Sequence, residues 1–225
     1  MRRNAQNVLL VLVGGALLKL ALTGADLRYV KPAHHWLVLA GGGVIVALGL
    51  LAIVRDLRSG VPQHTHGSRS TWLLLVPVLT ILLVAPPALG ADALTGTANA
   101  ARQSAMPALP PGEAPELSLS ELVDRAVYAP STLDGRDVTI AGFVADLDGA
   151  PVLARMTISC CAADAQGIKV RVLGGGTAGH APDTWLRVRA RLRPGSATSE
   201  NGNIPAVEVQ SATVIPIPAN PYDVR

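Results

Sequence analysis

Three long uncharged or nearly uncharged runs dominate the first ninety residues. Residues 8–25 carry a single charge, at Lys19, and residues 36–54 and 72–90 carry none. About 20 apolar residues cross a bilayer as a helix, and membrane helices tolerate proline better than soluble ones. The pattern therefore predicts three transmembrane helices over these ranges, within a membrane region spanning residues 1–90.

The pattern changes after this region. Residues 91–117 are rich in Ala, Pro and Gly without a sustained period, which predicts a linker. Ser118, with Glu121 three positions later, is typical of a helix start. An alternating pattern of apolar and polar residues then predicts five short strands, with a hairpin turn at Asp148-Gly149 between the first two. These strands cover residues 137–144, 152–159, 168–173, 184–193 and 206–215.

The predicted fold class is therefore a membrane α-helical N-terminal part followed by an all-β domain over residues 118–218. Five short strands favour an OB-like five-stranded small barrel, with a small sandwich as the alternative. Residues 219–225 are predicted to be a tail.

Charge separates the two parts of the chain. The chain is 49% hydrophobic and 16% charged, and its formal net charge is +3. Residues 1–90 hold eight basic and two acidic residues, whereas residues 91–225 hold eleven basic and fourteen acidic ones. The excess of positive charge thus belongs to the membrane part and does not indicate a nucleic-acid partner.

Short loops predict the orientation. Five basic residues lie before the first span and after the second, and two lie between these spans: Arg2, Arg3, Arg55, Arg58 and Arg69 against Arg28 and Lys31. The positive-inside rule then places the N-terminus in the cytoplasm and the β domain outside a bacterial cell membrane. Cleavage after the third span, where small residues resemble a signal-peptidase site, is the alternative.

Cys160 and Cys161 are adjacent, at the end of the second predicted strand. Three interpretations stay open: a strained redox-active pair, two thiolates for a soft metal with Asp164 or His180 nearby, or two small buried apolar residues. In the loop after the second span, His64 and His66 could clamp a transition metal, although two ligands do not complete a zinc site.

The β domain also carries an alternating basic pattern on its third and fourth strands. We call these residues the basic set: Lys169, Arg171, Arg187, Arg189, Arg191 and Arg193. Because stacking aromatic residues are nearly absent, the basic set favours an anionic lipid or an acidic partner over nucleic acid. A solvated strand face is the alternative.

Several segments resemble a known family. They lie at residues 3–6, 23–24, 29–32, 84–90, 158–165 and 215–218, and the most specific is Cys-Cys-Ala-Ala-Asp-Ala at 160–165. This pattern resembles the YcgQ-like bacterial family, described as permease subunits. The resemblance implies a separate multi-span permease as partner and a link to a divalent metal, with zinc as the candidate cofactor. Family members often carry a His-rich loop, of which His64 and His66 are the counterpart here.

These observations predict two functions. The first is an accessory subunit of a membrane permease complex that transports divalent metal. The second is a stand-alone envelope protein that binds a lipid, cell-wall or protein ligand through its β domain. No hydrolase, metalloprotease or phosphate-loop motif occurs in the chain, so we do not expect an enzyme. A membrane thiol oxidoreductase would rest on the cysteine pair alone.

Overall fold

The chain divides into two units, residues 1–88 and residues 89–225. The computed structural model describes residues 2–59, 76, 79, 80, 83, 87–94, 96, 98–103 and 106–223. The third predicted span lies mostly outside the described residues, as do His64 and His66.

Two helices form the described part of the first unit. Helix α1 covers Arg2–Leu22 and helix α2 covers His35–Ser59. They pack antiparallel through glycines: a Cβ added at Gly14 would lie 2.8 Å from Val46 Cγ2, and one added at Gly49 would lie 2.8 Å from Val11 Cγ2. This close approach is typical of helices that pack in a membrane.

The apolar surface of α2 is largely exposed. Pro32–Arg58 is long and apolar enough to cross a membrane, and the apolar stretch of α1, Gln6–Leu22, is shorter. Leu48, Leu51 and Leu57 are among the large side chains that remain exposed. Within the described ranges the structure therefore supports one or two membrane-crossing candidates, where the sequence predicted three.

The second unit begins with a helix that closes against a sheet. Helix α3, Leu119–Tyr128, starts where the Ser118 hydroxyl accepts a hydrogen bond from the Glu121 amide at 3.0 Å, as the sequence predicted. Six strands follow: β1 Asp137–Leu147, β2 Ala150–Thr157, β3 Gln166–Leu173, β4 Trp185–Leu192, β5 Ala206–Val214 and β6 Tyr222–Asp223. The first five match the predicted strands. The sixth corrects the prediction of five, because it lies in the stretch predicted to be a tail.

Strand pairing closes the first five strands into a small barrel. Strand β1 pairs antiparallel with both β2 and β4, β4 pairs antiparallel with β5, β5 pairs parallel with β3, and β3 pairs antiparallel with β2. The predicted turn joins β1 to β2, with positive φ at both Asp148 and Gly149, as a tight hairpin requires. Strand β6 pairs in parallel with the end of β2, at Met156 and Thr157, where β2 is no longer paired with β1.

The unit has two apolar cores because β1 and β2 bury side chains on both faces. The inner core holds the alternating apolar residues of the five strands and the apolar face of α3, including Leu122 and Val188. The outer core lies around Phe143, Met156 and Trp185, and Leu89, Ala91 and Leu94 pack against it. The described part of the predicted linker thus lies against the barrel from its first residues.

Candidate functional site

A short loop between β2 and β3 carries both cysteines. The chain leaves β2 at Thr157 and makes one 3₁₀ turn over Ala162–Asp164 before β3 begins at Gln166. The Asp164 carboxylate accepts hydrogen bonds from three amides that precede the turn: Ser159 at 2.7 Å, Cys160 at 2.8 Å and Cys161 at 3.4 Å. Asp164 therefore organises the loop that positions the two thiols.

The two thiols lie side by side near the surface. Their Sγ atoms are 3.6 Å apart and no disulfide joins them. Cys160 is exposed and Cys161 is half-buried, so the interpretation of the pair as small buried residues is not what the structure shows. One ligand atom each from Cys160, Cys161 and Asp164 lies within 4.8 Å of the others, which makes them the metal-ligand group found within the described ranges.

Hydrogen bonding determines the protonation of this group. The hydrogen bond with Asp164, followed by that with Cys161, raises the pKa of Cys160 to about 11. The Ser159 amide, followed by the Cys160 thiol and amide, lowers the pKa of Asp164 to about 2. At neutral pH the carboxyl is therefore ionised and Cys160 is a thiol, whereas the thiolate is the form that attacks substrates and ligates metals.

A zinc ion fits this donor set in part. Zinc prefers thiolate, imidazole and carboxylate ligands, and a structural site needs four of them. Three donors on one exposed loop leave a coordination position open, so the loop can bind and release an ion more easily than a closed site. Binding must displace the Cys160 proton, since metals bind the deprotonated thiol.

The predicted histidine ligands do not join this group in the structure. His64 and His66 fall outside the described residues. His180 is half-buried after β3 and is not part of the ligand group. The remaining coordination positions are therefore not supplied by the described part of the β unit.

A shallow cleft of about 320 Å³ lies beside the loop. It is lined on one side by residues 98–100 and on the other by Ala165, Gln166 and Gly167. Because Ala165 follows Asp164 directly, the cleft lies next to the cysteine loop. A molecule that binds at the loop could therefore also occupy the cleft.

Lys169 does not reach the surface with the rest of the basic set. Its side chain is fully buried, and its ammonium donates to the Gly96 carbonyl at 2.7 Å. Burial lowers the pKa of Lys169. The Asn99 side chain holds the backbone of Lys169 through both its donor and its acceptor, at 2.7 Å and 2.9 Å.

Carboxylates face three of the arginines in the basic set, of which Arg187 and Arg191 are exposed and Arg189 is half-buried. Arg189 and Arg191 both bind Asp137, at 3.0 Å and 2.8 Å, while Arg187 lies 3.4 Å from Glu116. Desolvation raises the pKa of Asp137, but the hydrogen bonds from Arg191 and Arg189 outweigh it and leave this pKa below its usual value. The positive charge of this strand face is thus partly neutralised within the chain. Arg171 and Arg193 are exposed.

A buried ionic network at the C-terminus was missed by the sequence analysis. The Asp223 side chain is fully buried, lies 3.7 Å from Arg155, and accepts hydrogen bonds from the amide and hydroxyl of Ser120. Arg155 also donates to the Tyr222 carbonyl and lies 5.5 Å from the centre of the Trp185 ring. This network fastens β6 to the barrel and to α3, so its role is structural.

A second buried carboxylate lies between α1 and α2. Asp26 is buried and its Oδ2 is 2.7 Å from His35 Nδ1, while its Oδ1 has no hydrogen-bond partner among the residues that the structure describes. The sequence did not predict this pair, because a lone acid nine residues before a histidine forms no motif.

Comparisons with known proteins point to one family. No curated protein matches the chain, and no solved structure matches it. The YcgQ-like resemblance and its Cys-Cys-Ala-Ala-Asp-Ala motif thus stay a prediction. Residues 120–224, which include α3 from its second residue, the barrel and the cysteine loop, are similar to the family described as the DUF1980 C-terminal domain.

Proposed function

We propose that this protein is an accessory subunit of a bacterial membrane permease, and that its cysteine loop passes a divalent metal, zinc in the first instance, to or from the permease. The observation that carries the proposal is the exposed loop on which Cys160, Cys161 and Asp164 bring three ligand atoms within 4.8 Å. An incomplete donor set suits a carrier, because the partner can supply the missing ligands and then take the ion.

The arrangement of the whole chain is part of the proposal. Three spans would place the N-terminus in the cytoplasm and the β unit outside the cell, where we assign the barrel to the OB type. The exposed apolar surface of α2 supports burial in lipid, and the arginines at the start of α1 and from Arg55 onward support this orientation.

The stand-alone ligand-binding function is less well supported. It required a free basic strand face, but Asp137 and Glu116 already pair with three of the arginines, and Lys169 is buried. An oxidoreductase is also less well supported, because it rests on the two thiols alone and leaves the nearby Asp164 carboxylate without a role.

Zinc binding by the full chain in detergent tests the site. We expect the reduced protein to bind one zinc per chain in competition with a chromogenic chelator, and the Cys160→Ser/Cys161→Ser variant to lose this binding. Ala163→Ser, in the same loop, is the matched control and should bind as the wild type does. Equal zinc binding by the double variant would refute the site.

Transport in cells tests the role of the subunit. Cells that carry the double variant should assemble the complex but fail to move metal. Unchanged metal transport would limit the two cysteines to a structural role. Thiols that cycle between reduced and oxidised states in the cell would instead favour the oxidoreductase.

A further inference from the structure

The loop between β2 and β3 brings two neighbouring thiols to the same side of the chain. Neighbouring side chains of an extended chain point to opposite sides, and Cys161 has an extended backbone, with φ −153° and ψ 173°. Its Sγ nevertheless lies 3.6 Å from the Sγ of Cys160, and Asp164 holds the amides of both residues. The two sulfur atoms therefore need to approach by only about 1.5 Å to reach the length of a disulfide bond.

The ends of this loop are fixed, while its middle is accessible. Ile158, before the cysteines, is buried in the outer core, and Ala165, after them, packs against the same core. Cys160 is exposed and Cys161 is half-buried. An oxidant can therefore reach the thiols, and a bond between them changes the loop without disturbing the barrel.

We propose that Cys160 and Cys161 form a reversible disulfide that closes the proposed metal site, so that the redox state around the protein controls metal binding. The chain holds no other cysteine, so a disulfide within one chain can only join this pair. The proposed location outside the cytoplasm favours the bond, because disulfides form and persist there. The inference rests on the proposed function for its effect on zinc, whereas the disulfide itself does not depend on it.

The oxidant is a disulfide, carried by another protein or by a small thiol compound. One cysteine of the pair, as the thiolate, attacks a sulfur atom of this disulfide, which forms a mixed disulfide and releases one thiolate of the oxidant. The neighbouring cysteine then attacks the sulfur of the first, and the second thiolate of the oxidant leaves. The pair thus loses two protons and two electrons, and the oxidant becomes two thiols.

The rate of the first attack depends on how much thiolate is present. The hydrogen bond with Asp164, followed by that with Cys161, raises the pKa of Cys160 to about 11, so attack by Cys160 is slow at neutral pH. Oxidation of the loop should therefore become faster as the pH rises.

The adjacency of the two cysteines makes this bond easy to reverse. Cα atoms of neighbouring residues are about 3.8 Å apart across a trans peptide, whereas those of most disulfides are about 4.4–6.8 Å apart. Strained disulfides are reduced more readily than relaxed ones.

Oxidation removes two of the three metal ligands. Neither sulfur atom of the disulfide is a thiolate, and metals bind the deprotonated thiol. Asp164 is then left alone of the group that brings three ligand atoms within 4.8 Å. Conversely, a bound zinc ion occupies both thiolates and should slow their oxidation.

Thiol counting on the full chain in detergent tests the disulfide. After incubation with oxidised glutathione and no zinc, the wild type should lose both of the thiols that react with a maleimide, and mass spectrometry should show a single chain less two hydrogen atoms. Dithiothreitol should restore both thiols. Cys161→Ser is the matched control, because its one thiol can only form a mixed disulfide with glutathione. Two free thiols, or a stable glutathione adduct, on the treated wild type would overturn the proposal.

An assay of thiol exchange separates this switch from an oxidoreductase. The switch follows the redox state around the protein and does not cycle with each turnover, so the chain should not accelerate the reduction of insulin by dithiothreitol. Accelerated reduction of insulin would overturn the switch in favour of the oxidoreductase.

Zinc competition on the oxidised and reduced samples tests the closure of the site. The oxidised wild type should bind zinc more weakly than the reduced one, by roughly tenfold or more, and dithiothreitol should restore the binding. Equal zinc affinity of the two samples would overturn the closure. If the reduced sample also fails to bind zinc, the proposed metal site is wrong and the closure with it, whereas the thiol count still decides whether the disulfide forms.

Discussion

Among the individual residues, Asp164 shows most clearly how the cysteine loop is held in place. The sequence suggested it as a third metal ligand, but its carboxylate first holds the amides of Ser159, Cys160 and Cys161. A carboxylate that orients neighbouring ligands matters to a metal site even when it contributes little to coordination.

Lys169 shows the limit of sequence patterns at this scale. The alternation of apolar and charged residues along β3 predicts correctly that Lys169 lies on the outer face of the barrel. The segment around Gly96 and Asn99 then buries it there, and no pattern of neighbouring residues predicts that contact.

Removal of the Asp164 carboxylate should weaken metal binding. We expect Asp164→Ala to lower zinc affinity roughly 10- to 100-fold, because loss of an orienting partner has about this effect. Asp164→Asn keeps one acceptor oxygen and should lie between the alanine variant and the wild type. The competition assay with a chelator measures all three, and equal affinity in all three would show that Asp164 has no role in the site.

Acid should weaken the contribution of Asp137 to stability. The pKa of Asp137 is lowered in the folded chain, so its carboxylate stabilises the fold above the unfolded pKa and loses this effect as the pH falls through the folded pKa. Asp137→Asn should therefore lower the Tm at pH 7, and the difference from the wild type should shrink below about pH 3. Thermal unfolding at both pH values measures this, and a difference independent of pH would contradict it.

Among the elements, short-range patterns predicted far more than long-range ones. The helix cap at Ser118, the turn at Asp148-Gly149 and the first five strands each follow from a few neighbouring residues, and all appear in the structure. Strand β6 could not be predicted this way. Its two residues form a strand because Arg155 and Ser120, far away in the sequence, hold Asp223.

Helix packing gives a prediction at the same scale. Two adjacent glycines of α1 differ in their surroundings: a Cβ at Gly14 would lie 2.8 Å from Val46 Cγ2, whereas one at Gly15 has nothing within 4 Å. Gly14→Ala should destabilise the helical hairpin by roughly 1–3 kcal/mol, as overpacking does. Unfolding in detergent measures this.

Gly15→Ala is the matched control for that substitution. It adds the same methyl group one position away, into open space, and should leave the hairpin as stable as the wild type or slightly more stable. Equal losses of stability at Gly14 and Gly15 would contradict the packing seen here.

At the scale of the whole molecule, the chain joins an apolar helical unit to a small β unit. The β unit has its own inner and outer cores, and residues from Leu89 onward already pack against its outer core. The metal-ligand loop of Cys160, Cys161 and Asp164 lies on this unit and is partly exposed, and it is the feature on which the proposed role as a subunit rests.

Purification through a C-terminal tag tests this account most directly. Membranes would be solubilised in a mild detergent, and the proteins retained with the tagged chain would be identified and quantified. The account predicts one multi-span permease in near-equal amount. A chain that purifies alone, or only with copies of itself, would contradict the role as a permease subunit.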